Sequence, residues 1–155
     1  MVTKEQPERK EVTILLVEDD PGHARLIEKN LRRANIINKV IIVEDGQAAL
    51  DYLFAVKEKY AEENVLPLLI LLDLNLPVLD GYQVLKRIKE DKRTQKIPVV
   101  VLTTTDDQRE VARCYELGCN VYVTKPVDYE RFSDAIQKLG LLLSIVTIPN
   151  RDAIL

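Results

Sequence analysis

The chain has 155 residues, of which 46% are hydrophobic and 30% charged, and its formal net charge is −3. This length and composition predict one soluble globular domain, and the acidic balance argues against a nucleic-acid-binding surface, which is normally basic. No apolar run is long enough to span a membrane, and the polar first residues lack the apolar centre of a signal peptide, so we expect a cytoplasmic protein.

Five short apolar runs alternate with amphipathic stretches along the chain. The runs cover residues 12–17, 39–43, 68–72, 98–102 and 120–123. Four of them are nearly continuous and rich in Val, Ile and Leu, which is typical of strands that are covered on both faces of a parallel sheet.

The stretches after these runs carry apolar residues at the three- and four-residue spacing of a helix. The stripes are Ala24, Ile27, Leu31 and Ala34; Ala49, Leu50, Leu53 and Phe54; Val84, Leu85 and Ile88; and, after a more polar fourth helix, Phe132, Ala135, Ile136 and Leu139. An aspartate marks the predicted start of four helices: Asp20, Asp80, Asp106 and Asp128.

Five βα units with right-handed crossovers predict an α/β fold, a flavodoxin-like doubly wound (βα)5 parallel sheet with strand order 2-1-3-4-5. We expect the domain to cover residues 12–143, between a polar N-terminal segment at 1–11 and a C-terminal extension at 144–155. In such a sheet, the functional crevice lies outside the carboxyl ends of strands one and three.

Polar residues follow the strands at that edge. They are Glu18, Asp19 and Asp20 after strand one, Asp73 after strand three, Thr103 and Thr104 after strand four, and Lys125 after strand five. Clustered carboxylates repel one another, and a hard divalent cation such as Mg²⁺ relieves that repulsion. A carboxylate beside the cation can attack phosphorus while an ammonium and a hydroxyl bind phosphoryl oxygens, so the set predicts phosphoryl transfer to aspartate.

Four segments, VEDDP, LLDLNLPVLDG, VVVLTT and VYVTKP, resemble the motifs of the receiver-domain family of two-component signalling. The resemblance extends over about residues 12–140 in order and spacing. It implies that Asp73 accepts a phosphoryl group from a histidine kinase. It also implies a Mg²⁺ ligand set, made up of the carboxylates of Glu18, Asp19 and Asp73 and the main-chain carbonyl of Asn75.

The same resemblance implies roles for three more residues. Thr103 and Lys125 contact the phosphoryl group, and Tyr122 swings inward as Thr103 moves, which transmits the signal. A protein of this kind is a phosphoacceptor with at most weak self-phosphorylation and self-dephosphorylation activity, and not an enzyme in the usual sense.

Two further segments, REVARCYELGCNVYVTKPVDYERF and LGLLLSIVTIPN, look like the single-domain regulators that partner cyanobacterial phytochromes. That resemblance implies a phytochrome as the kinase. It also implies a homodimer formed through the face of helix four, strand five and helix five. Neither a nucleic acid nor a membrane is expected as a partner.

Two positions depart from the common family pattern. Glu18 stands where many members have aspartate, and its longer side chain is expected to bind the metal through water. Thr104 occupies a site that often holds a smaller residue, which would slow or redirect hydrolysis of the phosphate.

Three other functions fit parts of the pattern. An interaction module that is never phosphorylated is disfavoured because the acceptor, the metal carboxylates and the lysine are all present. An aspartate-nucleophile phosphatase would carry its nucleophile after strand one. A flavin carrier needs a phosphate-binding loop there, and the acidic VEDDP would repel the phosphate.

Three conspicuous residues are interpreted as structural. His23, the sole histidine, is predicted to be a surface residue of helix one. Cys114 and Cys119 form neither a CxxC pair nor a metal cluster, so we expect buried apolar side chains without a redox role.

Overall fold

The computed structural model describes residues 13–59, 69–125 and 128–134, with the main chain alone for 55–59. The elements in chain order are β1 (Thr13–Val17), α1 (Pro21–Arg33), β2 (Lys39–Val43), α2 (Gly46–Lys59), β3 (Leu69–Asp73), α3 (Gly81–Glu90), β4 (Val99–Thr103), α4 (Gln108–Leu117) and β5 (Val121–Thr124). A helical segment at 129–134 follows, which we label α5. The predicted terminal segments, 1–11 and 144–155, lie outside the described residues, as do Ala135, Ile136 and Leu139 of the last predicted stripe.

The five strands form one parallel sheet in the predicted order, β2-β1-β3-β4-β5. Its register sets Val17 beside Leu72 and Asp73 beside Leu102, so strands β1, β3 and β4 end at nearly the same level. Because all strands run the same way, the residues that follow them gather at one edge of the sheet.

Alternate residues of the central strands pack into two cores, one on each face of the sheet. Leu15, Ile70 and Val101 belong to the face covered by α2, α3 and α4. Leu16 and Leu71 belong to the opposite face, where α1 and α5 pack. Strands β1, β3 and β4 are buried throughout, which explains their continuous apolar sequences.

Strand β2 departs from the prediction that it is covered on both faces. Ile42 is 42% exposed, and every residue of the strand is exposed or half-buried. The reason is its place at the edge of the sheet, where it has a neighbouring strand on one side. An apolar run alone does not distinguish an edge strand from a central one.

Aspartate side chains cap the helices, as the sequence predicts for three of them. Asp20 accepts the N–H groups of Gly22 (2.8 Å) and His23 (3.1 Å) at the start of α1. Asp80 forms a capping box with Gln83 at the start of α3. At the third of these starts, the side chain of Asp128 accepts an N–H from the first turn of α5.

The predicted cap of α4 is wrong by one residue. Asp107, and not Asp106, accepts the N–H of Arg109 at 2.8 Å. The hydroxyl of Thr105 accepts the N–H of Asp107 at 3.2 Å, and this turn delays the start of the helix. None of the helices in the described part of the chain combines the length and apolarity that a membrane crossing needs.

A glycine lets α3 begin directly against the end of β3. The N–H of Gly81 donates to the carbonyl of Leu74 at 2.9 Å. A Cβ on residue 81 would lie 2.5 Å from the carbonyl oxygen of Asp73 and equally close to Leu74 Cα. Real Cβ atoms do not approach main chain so closely, so the position admits only glycine without a shift of the loop.

We expect Gly81→Ala to lower the free energy of unfolding by about 1–3 kcal/mol, the usual effect of forcing extra atoms into a packed site. Urea unfolding followed by circular dichroism measures this. Gly22→Ala is the matched control, because its Cβ would meet only the side-chain oxygen of Asp20, at 3.2 Å. A loss in the control as large as that of Gly81→Ala would contradict the steric explanation.

Candidate functional site

A buried ionic cluster occupies the carboxyl edge of the sheet. Glu18 follows β1, Asp73 ends β3 and Lys125 follows β5, with relative exposures of 2%, 5% and 9%. The Lys125 ammonium donates to Glu18 Oε1 at 2.6 Å and to Asp73 Oδ2 at 3.3 Å. Residues separated by up to 107 positions in the sequence thus meet in one pocket, as the strand order predicts.

Both carboxylate oxygens of Glu18 are engaged in this arrangement. Oε1 accepts from Lys125, and Oε2 accepts the main-chain N–H of Asp20 at 3.2 Å. Each of these oxygens accepts one hydrogen bond and keeps a second lone pair, which is available to a cation. The predicted water-mediated binding by Glu18 stays a prediction.

The acceptor candidate Asp73 is held at both oxygens as well. Oδ2 contacts Lys125, and Oδ1 accepts the N–H of Asn75 at 3.3 Å. Burial raises the pKa of Asp73, the Lys125 charge opposes that shift, and the Glu18 charge adds to it. Asn75 contacts Asp73 through its main-chain N–H. The role of its main-chain carbonyl as a metal ligand stays a prediction.

The acidic residues fit a hard divalent cation. Glu18, Asp19 and Asp73 each offer one oxygen, and these oxygens all lie within 4.8 Å of one another. Asp19 is exposed at the rim, whereas the other two are buried. Carboxylate oxygens of this kind suit Mg²⁺ or Mn²⁺.

Thr103 supplies a buried hydroxyl at this edge of the sheet. The residue is fully buried, and its Oγ1 has no hydrogen-bond partner among the described residues. Its carbonyl accepts the N–H of Lys125 at 2.7 Å, so the two residues are adjacent at the edge of the sheet. An unpartnered buried hydroxyl costs about 1–3 kcal/mol, which a bound acceptor oxygen would offset. Thr104, in contrast, is exposed.

Tyr122 connects β5 to the loop that follows β4. Its hydroxyl donates to the carbonyl of Thr105 at 2.6 Å, two residues beyond Thr103. Burial raises the pKa of Tyr122 to about 12, so the phenol keeps the proton that this bond requires. The N–H of Tyr122 donates to the hydroxyl of Tyr115 on α4 at 3.2 Å. The inward movement predicted for this side chain stays a prediction.

His23 reaches the site although the sequence suggested an ordinary surface position. Its side chain is 47% exposed, as expected, but Nδ1 lies 3.2 Å from Lys125 Nζ and 3.7 Å from Glu18 Oε2. The sequence feature that indicates this contact is the position of His23 in the first turn of α1, three residues after the cap Asp20. A helix that starts at the crevice presents its first turn to the crevice.

The two cysteines are buried, which confirms their structural interpretation. Cys114 and Cys119 are 0% and 6% exposed. Burial raises the pKa of Cys114 to about 11 and that of Cys119 to about 12, so both remain protonated thiols at neutral pH.

Comparison with known proteins identifies the family of this chain. A family profile described as the response regulator receiver domain matches residues 14–137. The chain belongs to the response-regulator receiver family. Receiver domains are phosphoacceptors that partner histidine kinases, so the predicted family and its general chemistry are confirmed at that level.

Several relatives resemble the chain over most of its length. It is 41% identical to the response regulator Rcp1 of Synechocystis sp. over 137 residues, which are 88% of this chain and 92% of Rcp1. A receiver-domain structure from Rhodospirillum rubrum is 55% identical, with a TM-score of 0.71, and covers 89% of this chain and 97% of its own. The bacteriophytochrome response regulator RtBRR is 43% identical, with a TM-score of 0.74, and the match covers 83% and 78% of the two chains.

One of these relatives has been solved with a divalent cation. The Mn²⁺-bound form of Rcp1 is 40% identical to this chain over 83% of its length and 91% of the Rcp1 chain, with a TM-score of 0.67. The acidic pocket of the present chain is consistent with such binding, since its three carboxylates lie within reach of one ion.

We expect Mg²⁺ to raise the thermal midpoint of the native chain, because a ligand that binds only the folded state stabilises that state. At a ligand concentration one hundred times Kd, the free energy of unfolding rises by about 2.7 kcal/mol. Asp19→Asn removes an exposed ligand without disturbing the core, so its midpoint in a chelator should match the native one while its response to Mg²⁺ is lost. Differential scanning fluorimetry measures both.

Asp51→Asn is the control for this experiment, since Asp51 is exposed on α2 and bonded to Gln47. It should respond to Mg²⁺ like the native chain. If the thermal midpoint of Asp19→Asn rises with Mg²⁺ as much as that of the native chain, Asp19 is not a metal ligand.

Proposed function

We propose that the chain is a single-domain response regulator whose Asp73 accepts a phosphoryl group from a histidine kinase in a Mg²⁺-dependent reaction. The observation that carries the proposal is the pocket around Asp73. There, a buried ammonium lies 3.3 Å from the carboxylate, and the buried Thr103 hydroxyl has no partner among the described residues. Both groups are donors, and a phosphoryl group brings acceptor oxygens.

The transfer uses the Asp73 carboxylate as the nucleophile. An Oδ atom attacks the phosphorus of the kinase phosphohistidine, the new O–P bond forms as the P–N bond breaks, and the histidine nitrogen keeps the electron pair. Mg²⁺ held by Glu18, Asp19 and Asp73 would supply positive charge against the phosphoryl oxygens. Lys125 and Thr103 each donate a hydrogen bond to the transferred group.

The phosphate is removed by water. The water oxygen attacks phosphorus, the O–P bond to Asp73 breaks, and inorganic phosphate and the free carboxylate result. Thr104 is exposed beside Thr103, and we infer that its bulk slows the approach of this water. The chain is thus a phosphoacceptor that hydrolyses its own phosphate slowly.

Phosphorylation acts as a signal through the β4–α4 loop. The added group carries about −1.5 to −2 charges and draws the Thr103 hydroxyl and the Lys125 ammonium toward it. Tyr122 is bonded to the Thr105 carbonyl in the same loop, so movement at Thr103 shifts the phenol. The face of α4, β5 and α5 then differs between the two states.

The acceptor is tested by incubating the chain with Mg²⁺ and acetyl phosphate and measuring its intact mass. We expect one phosphoryl adduct on the native chain, none after chelation and none on Asp73→Asn. Asp51→Asn repeats the same chemical change at an exposed position and should be phosphorylated normally. An adduct that persists on Asp73→Asn would place the acceptor elsewhere. The absence of any adduct on the folded native chain would favour an interaction module that is never phosphorylated.

A phytochrome is the kinase we propose as the partner. Support comes from the similarity to the bacteriophytochrome response regulator RtBRR. A phytochrome kinase that transfers phosphate to the native chain faster than unrelated histidine kinases do would support the pairing. Equal rates would contradict it.

We further propose a homodimer through the face of α4, β5 and α5. β5 is an edge strand, and Tyr115 on α4 leaves a large ring 47% exposed there. Sedimentation should show a dimer that Tyr115→Glu weakens. Ile37→Glu, at an 83% exposed site near the opposite edge strand, is the control and should not change the association. A monomer in both phosphorylation states would contradict the dimer.

A further inference from the structure

Among the described residues, three acceptors lie around the Lys125 ammonium, the same number as its N–H donors. They are Glu18 Oε1 at 2.6 Å, His23 Nδ1 at 3.2 Å and Asp73 Oδ2 at 3.3 Å. Two of these acceptors are carboxylates with a part in the proposed chemistry. His23 Nδ1 is the third acceptor, and the imidazole ring is uncharged when Nδ1 accepts a hydrogen bond.

A hydrogen bond between Lys125 and His23 requires one particular tautomer of the ring. An ammonium has donors and no acceptor, so a hydrogen bond to Lys125 Nζ requires an unprotonated Nδ1. The ring is then the neutral tautomer with its proton on Nε2. The side chain is 47% exposed, which leaves water available to the other ring nitrogen.

The start of α1 holds His23 in this position. The main-chain N–H of His23 donates to Asp20 Oδ1 at 3.1 Å, and the same oxygen accepts the N–H of Gly22. The N–H of Asp20 in turn donates to Glu18 Oε2 at 3.2 Å. The turn that carries His23 is therefore hydrogen-bonded to the Glu18 carboxylate, which also accepts from Lys125.

We propose that His23 is a positioning residue that keeps Lys125 beside Asp73 when Glu18 serves the cation. Glu18 makes the shortest contact of Lys125, and the same carboxylate belongs to the proposed metal ligands. A cation that draws electron density from the Glu18 carboxylate weakens its contact with the ammonium, and His23 is then the neutral acceptor that still orients Lys125. This inference rests on the proposed phosphoacceptor function.

The first test reads the tautomer and needs no phosphorylation. The chain has one histidine, so ¹⁵N spectra of the imidazole, recorded without a histidine tag and well above the ordinary imidazole pKa, contain a single ring. We expect Nδ1 unprotonated and Nε2 protonated, with the ¹⁵N shift of Nδ1 displaced by the hydrogen bond in the native chain and not in Lys125→Ala. A proton on Nδ1, or a ring unaffected by Lys125→Ala, would overturn the proposal.

The second test compares rates of phosphorylation by acetyl phosphate. His23→Leu should lower the rate at saturating donor about fivefold, the factor that one net hydrogen bond contributes, with little change in half-saturating donor concentration. His23→Asn should restore most of the rate, because asparagine Oδ1 lies as many bonds from Cβ as histidine Nδ1 does. Thermal midpoints of both variants should match the native one.

These outcomes separate the two proposals. If the native chain is phosphorylated on Asp73 and His23→Leu equals it in rate, the role of His23 is wrong and the function stands. If His23→Asn is as slow as His23→Leu, the effect is one of size or packing, and the acceptor role is again wrong. If the native chain takes no phosphate, the proposed function fails, while the tautomer measurement still decides the contact between His23 and Lys125.

Discussion

One ammonium shared by two buried carboxylates governs the active edge of this sheet. Lys125 contacts both Glu18 and Asp73, and burying either carboxylate without a partner would be strongly unfavourable. A single positive charge does not balance two negative ones. Burial raises the pKa of Asp73, and the Glu18 charge adds to that shift while Lys125 opposes it. The carboxylates of the pocket suit a cation, and its donors suit a group that brings acceptor oxygens.

The rest of the fold serves to keep that cluster in place. Parallel pairing brings the ends of β1, β3, β4 and β5 to one edge, and helices cover the apolar central strands on both faces. Gly81 allows α3 to start against Asp73 without displacing it. The Thr103 hydroxyl, which has no partner in the described structure, lies at the same edge, next to Lys125.

Much of this was predictable from the sequence, because periodicity and strand ends are local signals. The strand order and the convergence of Glu18, Asp73 and Lys125 follow from the topology rule for parallel sheets. The contact of His23 with Lys125 does not follow from that rule. It joins residues 102 positions apart and depends on the conformation of a helix side chain, which strand order does not determine. The exposure of β2 was also missed, because an edge strand has the same composition as a central one.

The hydrogen bond between Tyr115 and Tyr122 limits how copies of this chain can associate. β5 is the last strand of the sheet, and the N–H of Tyr122 donates to a side chain of the protein's own α4. A second sheet that extended this one strand by strand would need that N–H and would have to displace the phenol. Association at β5 is therefore directed toward contacts between side chains, and open-ended fibril growth along this edge is disfavoured.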